Sequence, residues 1–279
     1  MQVTSCRPAS AAAIPAAVGW SIATRLAGRP LVTCTGYHWR WLDIFDRAAG
    51  LLAERPARLV QCAWLDKVPP PPWWLRRDGS GGQTIEQTTH VLDTARGLAG
   101  EVTEVHAFGA RAAVAARTAA TPPTPRSMGS RTGRVADGGA GSSGLSTAPA
   151  EAALPAADIH EVSVASLRFA SGAVGTVASS CLLPRLHRAG VQVVADGLCL
   201  ELSETELVVE ADGRRSAWKA DADARPRPDR DFVAAVRGGP DRIRVPWPEA
   251  YRTHLLACAI TCSADEGRSL RVSNGDCRG

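Results

Sequence analysis

The sequence lacks any long apolar run and contains almost no lysine. It has no run of about 18 apolar residues, so we expect no membrane-spanning helix. Of its 32 basic residues only Lys67 and Lys219 are lysines, and the net charge of +4 is spread along the chain without a basic block. That distribution does not predict a nucleic-acid partner. The N-terminus lacks a basic region followed by a continuous apolar stretch, so we predict no signal peptide and a cytoplasmic protein.

The cysteines are numerous but do not indicate disulfides or a metal. Eight cysteines in a chain with no predicted secretory signal favour reduced thiols in core positions. His254, Cys258 and Cys262 recur every four residues and would share one helix face. A zinc site would need a fourth ligand and a reason to bury charge. We therefore predict no metal site and interpret these side chains as helix packing.

A glycine fingerprint for dinucleotide binding occurs in an unsuitable context. Gly139, Gly141 and Gly144 have the G-x-G-x-x-G spacing. The fingerprint requires a buried strand before it and a helix after it, and the preceding GRVADG is not a hydrophobic strand. These glycines lie in residues 112–157, which are rich in small residues and proline and have almost no large apolar ones. We predict a flexible insertion there, because it cannot bury enough surface to offset ordering.

Apolar periodicity predicts a mixture of helices and strands. Alternating apolar and polar residues over 161–219 predict an antiparallel meander of short strands. The remaining predicted elements are helices at 9–28 and 41–53, strands at 30–37, 58–66 and 101–111, and two closing helices, one with Asp229 as its N-cap and one from PWPEAY to near Gly267.

The stretch SGGQTIEQTTHVLD, residues 80–93, carries the strongest candidate for chemistry. A helix over 83–99 would place Glu86 and His90 one turn apart on a polar face. The carboxylate could then orient the imidazole, and a histidine takes or gives a proton near neutral pH. Glutamate and histidine four residues apart are also common on solvated helix surfaces, so the spacing alone leaves both interpretations open.

Four stretches in order resemble the glucose-fructose oxidoreductase/inositol dehydrogenase family, usually called Gfo/Idh/MocA. The first is GGQTIEQTTHVLDTARGLAGEVTEVHA, similar to the family's glycine pair, acidic residue, histidine and later aspartate. The second is TGYHWRW at 35–41, which looks like the end of the last nucleotide-domain strand. The others are LRFASGAVGTVASS at 167–180 and LLACAITCSADEGRSLRV at 255–272, similar to the family's sheet signature and terminal helix.

The resemblance implies an α/β (α+β) fold. It would comprise a C-terminal substrate domain with a large open, mostly antiparallel sheet backed by helices, plus a remnant of a Rossmann domain. Residues 1–36 would be that remnant, 37–111 and 158–272 the substrate and oligomerisation domain, and 273–279 a tail. A complete nucleotide domain needs roughly 120 residues ahead of the Gly-Tyr strand, and far fewer precede it here. We therefore expect a truncated cofactor domain.

The resemblance also implies an NAD(P)-dependent oxidoreductase that acts on a sugar, a cyclitol or a related hydroxy or carbonyl compound. By position in the motif, His90 would be the acid/base and Glu86 its acidic partner. Tyr37, Arg40 and Trp74 would line the substrate site. The cofactor would be NAD or NADP, and the partner a small-molecule substrate.

Departures from the family pattern keep a second hypothesis open. The family's Glu-Lys-Pro motif would fall on Cys6-Arg7-Pro8, where Arg7 keeps a positive charge for the cofactor but cannot shuttle a proton as lysine does. With the fingerprint also missing, this chain by itself would be inactive. The alternative is a non-catalytic binding or oligomerisation module. In either case we expect a homo-oligomer formed through the sheet and no contact with membranes or nucleic acid.

Overall fold

A computed structural model describes residues 16–26, 29–111 and 157–272. Its helices are α1 Ala16–Leu26, α2 Asp43–Glu54, α3 Arg77–Ser80, α4 Gln83–Glu86, α5 Thr89–Ala99, α6 Arg227–Val236 and α7 Trp247–Glu266. Its strands are β1 Leu59–Leu65, β2 Val102–Ala110, β3 Val162–Phe169, β4 Val174–Ser180, β5 Arg188–Ala195, β6 Leu198–Leu202, β7 Glu206–Ala211, β8 Arg214–Lys219 and β9 Leu270–Arg271. None of the helices in these ranges is both long and apolar enough to cross a membrane.

The strands form one sheet in the order β8-β7-β6-β5-β1-β4-β3-β2-β9. Neighbouring strands are antiparallel except for β1 and β4, which run parallel. The predicted fold class, a large open and mostly antiparallel sheet backed by helices, is confirmed.

The meander predicted over 161–219 is wrong in one respect, because β1 lies between β4 and β5. Residues 181–187 between these two strands are long enough to step across the inserted strand. The edge strand β8 lacks the alternation of buried and exposed side chains that predicts a strand. Most of its side chains are exposed. Local alternation identifies strands but does not order them, because pairing depends on contacts distant in sequence.

The helices cover one face of the sheet. Helix α5 packs across β1 and β5, α7 along β2, and α2 over β6 and β7. The core between the layers is built from the inward residues of the alternating strands, among them Val60, Leu167 and Leu200, against Leu92 and Leu256 of the helices. The alternation of β3, in which every second residue is buried, leaves the opposite face of the sheet exposed.

The N-terminal segment departs from prediction. Residues 30–37 do not form the predicted strand. Their backbone instead makes separate contacts with the start of α7: Thr35 N donates to Val245 O at 2.9 Å, and Trp247 N donates to the Thr33 hydroxyl at 2.9 Å. A strand needs a partner strand, and none of the strands in the described residues pairs with this segment. Its assignment to a Rossmann remnant stays a prediction.

The other predicted helices are partly confirmed. Residues 16–26 of the helix predicted at 9–28 form α1, which packs against α7. The rest of the predicted helix, residues 9–15 and 27–28, lies outside the described residues. Helix α7 begins and ends as predicted, with Gly267 as a left-handed C-cap. Helix α6 has Pro226 at its N-cap, so Asp229 lies inside the first turn rather than at the cap. The insertion predicted at 112–157 also lies almost wholly outside the described residues.

Candidate active site

The turn before the site requires glycine. Gly81 ends α3 with φ of 74°, and Gly82 follows with φ of 96° and ψ of 176°, backbone angles that side chains rarely allow. A Cβ on Gly82 would also lie 3.3 Å from Ile159. The Ser80 hydroxyl fixes this turn, because it donates to Trp74 O at 2.6 Å and accepts from Gly82 N at 2.9 Å.

The single helix predicted over 83–99 is broken into α4 and α5. Thr88 N donates to Gln83 O at 3.0 Å, a wider turn than the helical spacing, and α5 begins at Thr89. As a result Glu86 ends α4 and is exposed, whereas His90 lies in the first turn of α5. In the described residues no hydrogen bond joins Glu86 to His90, so the predicted orientation of the imidazole by this carboxylate is absent from this geometry.

His90 is enclosed by rings. Its imidazole lies 5.6 Å from the Tyr37 ring and 5.6 Å from the His38 ring, both edge-on, and stacks at 5.7 Å on Trp64. Its Nδ1 atom is buried and has no hydrogen-bond partner among the described residues. Burial lowers the pKa of His90 to about 4, with the charge of His38 adding to the effect and that of Glu204 opposing it. His90 is therefore uncharged at neutral pH.

Tyr37 lies where the sequence predicted, beside His90. Its hydroxyl forms a hydrogen bond of 2.8 Å with the Thr89 hydroxyl, which starts α5. Burial raises the pKa of Tyr37 to about 12, so the phenol keeps its proton at neutral pH. A protonated phenol can donate to a ligand oxygen or accept from a ligand hydroxyl.

Two further residues at the site were not predicted. His38 begins a 3-10 helix, His38–Trp41, and its Nε2 lies 2.8 Å from Glu204 Oε1. Glu204, in the turn between β6 and β7, also forms an ion pair with Arg225 at 2.6 Å. His38 and Glu204 are 166 residues apart, so no local spacing could have paired them.

Arg40, predicted to bind substrate, is engaged by protein carboxylates. Its Nε donates to Asp93 Oδ2 at 2.7 Å, and its Nη2 lies 3.3 Å from Asp93 Oδ1 and from Glu249 Oε1. Asp93 is fully buried. A Cβ on Gly97 would overlap the Arg40 guanidinium, so glycine is needed there for close approach. These contacts assign Arg40 to holding the 3-10 helix against α5.

A second arginine completes the network of buried charges. Arg96, whose side chain is 1% exposed, forms a two-pronged ion pair with Glu101 at 2.6 and 3.0 Å. It also donates to the backbone and carboxylate of Glu249 at 3.1 and 3.3 Å. The Thr253 hydroxyl donates to Asp93 at 2.9 Å. Helix α7 is thereby joined to the same carboxylate that binds Arg40.

Two other predicted site residues are not brought to His90. Trp74 is 2% exposed and packs in a separate apolar cluster with Leu75, Ile159 and Cys181. Arg7 lies outside the described residues. On α7, Cys258 Sγ lies 3.4 Å from His254 Nε2. Within the described ranges no three His, Cys, Asp or Glu side chains converge as metal ligands would.

Comparison with known proteins identifies a protein family that the chain matches. A model of the GFO/IDH/MocA C-terminal domain matches residues 56–197, which is 142 of the 279 residues. No curated protein matches the chain.

The fold is also that of several solved dehydrogenases. Levoglucosan dehydrogenase in complex with NADH and levoglucosan is similar with a TM-score of 0.67 at 16% identity, over 93% of this chain and 71% of that one. An oxidoreductase from Thermotoga maritima has a TM-score of 0.65 at 12% identity, over 93% and 68%. The WlbA dehydrogenase from Bordetella pertussis, in complex with NADH and UDP-GlcNAcA, has a TM-score of 0.62 at 16% identity, over 92% and 68%.

The described residues do not fit a bound dinucleotide. Such a cofactor needs a glycine-rich loop between a parallel strand and a helix, whose N-terminal N–H groups bind the pyrophosphate. The one parallel pair in the described sheet, β1 and β4, has neither strand followed by such a loop and helix.

The buried network predicts a large effect of Asp93→Asn. The substitution removes the buried carboxylate that pairs with Arg40 and Arg96, so that Glu249 is the carboxylate they still share, and breaking a buried pair in this way costs about 3–5 kcal/mol. Urea unfolding should show that loss in the free energy of unfolding. Asp196→Asn is the matched control, because Asp196 pairs with Arg58 in an exposed bridge worth about 0–1 kcal/mol. Equal effects of the two substitutions would contradict the role given to Asp93.

Proposed function

Because the chain belongs to the Gfo/Idh/MocA family, we propose that it supplies the substrate-side acid–base site of an NAD(P)-dependent oxidoreductase. The substrate is a sugar, a cyclitol or a related hydroxy or carbonyl compound. The observation that carries this proposal is His90, whose buried Nδ1 has no hydrogen-bond partner among the described residues while its ring is enclosed by Tyr37, His38 and Trp64. A buried polar atom without a partner is rare in folded proteins and indicates a ligand or ordered water.

The chemistry of the enclosing residues suits a polyhydroxylated ligand. Uncharged His90 and the protonated phenol of Tyr37 can each form hydrogen bonds with a hydroxyl or carbonyl oxygen. Trp64 adds an apolar ring face, and its buried Nε1 also has no partner among the described residues. Sites for small molecules are typically lined by apolar and aromatic side chains, with a small number of polar groups that orient the ligand. The sugar-type ligands in the levoglucosan dehydrogenase and WlbA complexes support this class.

In this proposal the dinucleotide is held by a separate polypeptide. The bound cofactor would accept or donate the hydride, while the residues described here bind the substrate and handle its hydroxyl proton. Glu86 is exposed on α4 and has a raised pKa through partial burial alone. Its predicted catalytic role would require movement toward His90. We expect the chain by itself to bind substrate without oxidising it.

Binding of a cyclitol and of sugars tests this proposal. Calorimetry with myo-inositol, glucose and levoglucosan should show saturable binding of at least one ligand to the full chain. His90→Asn should weaken that binding by about tenfold or more, because a hydrogen bond in a buried site contributes about 1–3 kcal/mol. His187→Asn, which changes an exposed histidine, is the control. No binding to a folded chain, or equal binding by all three proteins, would refute the proposed site.

A second candidate function, a non-catalytic oligomerisation module, is favoured by the exposed face of the sheet. Phe108 is 63% exposed and Val164 47% exposed, and the two are directly paired across β2 and β3. Val162, two residues before Val164 on the same face of β3, extends this apolar surface. Clustered exposed apolar side chains are typical of interaction surfaces. The face would suit a second copy of the chain, and this role is compatible with the substrate site on the helical side.

Sedimentation of Val164→Glu tests the oligomer. The wild-type chain should sediment as a dimer or larger species, and the buried charge should shift Val164→Glu toward monomer by tenfold or more in the dissociation constant. Phe232→Glu makes the same kind of change on exposed helix α6 and should leave association unchanged. A monomeric wild type, or dissociation by both variants, would contradict association through the sheet.

A further inference from the structure

We propose that His38, oriented by Glu204, is the general base of the site, and that His90 acts beside it as an uncharged hydrogen-bonding group. This inference rests on the proposed function and divides the proton chemistry between two histidines. It is carried by the juxtaposition of His38 with a carboxylate on one side and with the His90 ring on the other.

The hydrogen bond between His38 and Glu204 selects a tautomer. At 2.8 Å, the Glu204 carboxylate can only accept, so His38 Nε2 must carry the hydrogen that is donated. The neutral ring then has its lone pair on Nδ1. This is the arrangement in which a carboxylate holds an imidazole ready to accept a proton and stabilises the imidazolium that forms.

Glu204 is itself held in place. Its Oε1 also lies 2.6 Å from Arg225 Nη2, so one carboxylate oxygen receives two donors from different elements. His90 has no such partner: Nδ1 is unpaired, and no carboxylate bonds to it in the described residues. Of the two neighbouring imidazoles, only His38 is prepared to become positively charged.

The proton step is complete within these residues. The O–H bond of the substrate hydroxyl breaks, an N–H bond forms at His38 Nδ1, and the electron pair stays on the substrate oxygen. Glu204 remains ionised beside the new imidazolium. His90 and the Tyr37 phenol can hydrogen-bond the same oxygen, because both rings lie together at the start of α5.

Nitrogen-15 NMR of the imidazoles in the full chain tests the tautomer directly. The His38 signals, assigned by their loss in His38→Gln, should show a single Nε2–H tautomer near neutral pH. Glu204→Ala should convert them to a mixture of tautomers, and Glu204→Gln, which keeps the size of the side chain, should do the same. Glu206→Ala is the matched control, since Glu206 lies two residues away and pairs with Lys219 instead. An Nδ1–H tautomer in the wild type, or no change in either Glu204 variant, would overturn the proposal.

Addition of myo-inositol, glucose or levoglucosan to the same samples tests the substrate site and the role of His38 as the base separately. When a ligand binds, the His38 Nδ1 signal should shift and that of exposed His187 should not. Binding that leaves His38 Nδ1 unmoved overturns His38 as the base while the proposed function stands. No binding by any of these ligands refutes the proposed substrate site, and with it this role for His38.

Discussion

One buried carboxylate, Asp93, joins α5, which carries His90, to the 3-10 helix and to α7. It accepts hydrogen bonds from Arg40 in the 3-10 helix and from Thr253 in α7, and it belongs to α5 itself. Burying a charge is costly unless it is paired and fully hydrogen-bonded. Here the charges balance: three arginines, Arg40, Arg96 and Arg252, face the carboxylates of Asp93, Glu101 and Glu249.

This network of buried charges fixes the positions of the rings around His90. Tyr37 and His38 come just before Arg40, so fixing Arg40 to Asp93 sets both rings against His90, three residues before Asp93 in α5. The site is thus built where a short 3-10 helix meets the first turn of α5. The sheet contributes Trp64 from β1 and, through the β6–β7 turn, Glu204. Its opposite face is left exposed and suits association of subunits.

The sequence predicted the features that depend on local pattern. The glycines of the SGG turn, the strands flanking the helices and the long helix α7 could all be inferred from residues close together. The roles of His90 and Tyr37 at the site stay predictions. Features that depend on distant contacts were missed or wrong. The insertion of β1 beside β4, the bond between His38 and Glu204, and the commitment of Arg40 to Asp93 each join parts of the chain that no spacing relates.

At residues 30–37 and 83–99 the local pattern predicted an element that the structure does not form. The first segment is apolar enough for a strand but has no strand to pair with in the described residues. The second has helical periodicity, yet Thr88 bonds to Gln83 and the helix restarts at Thr89. Tertiary contacts override local propensity at both places. The second override separates Glu86 from His90 and changes which carboxylate serves the site.

In the proposed arrangement this chain carries a substrate-side acid–base site, and a separate polypeptide holds the dinucleotide. A fluorescence titration of the purified full chain with NADH and NADPH tests it most directly, using quenching of its eight tryptophans and the emission of the nicotinamide. We expect no saturable binding of NADH or NADPH to a chain that is shown to be folded. Saturable binding at micromolar concentration would contradict it, because the chain would then hold the cofactor itself.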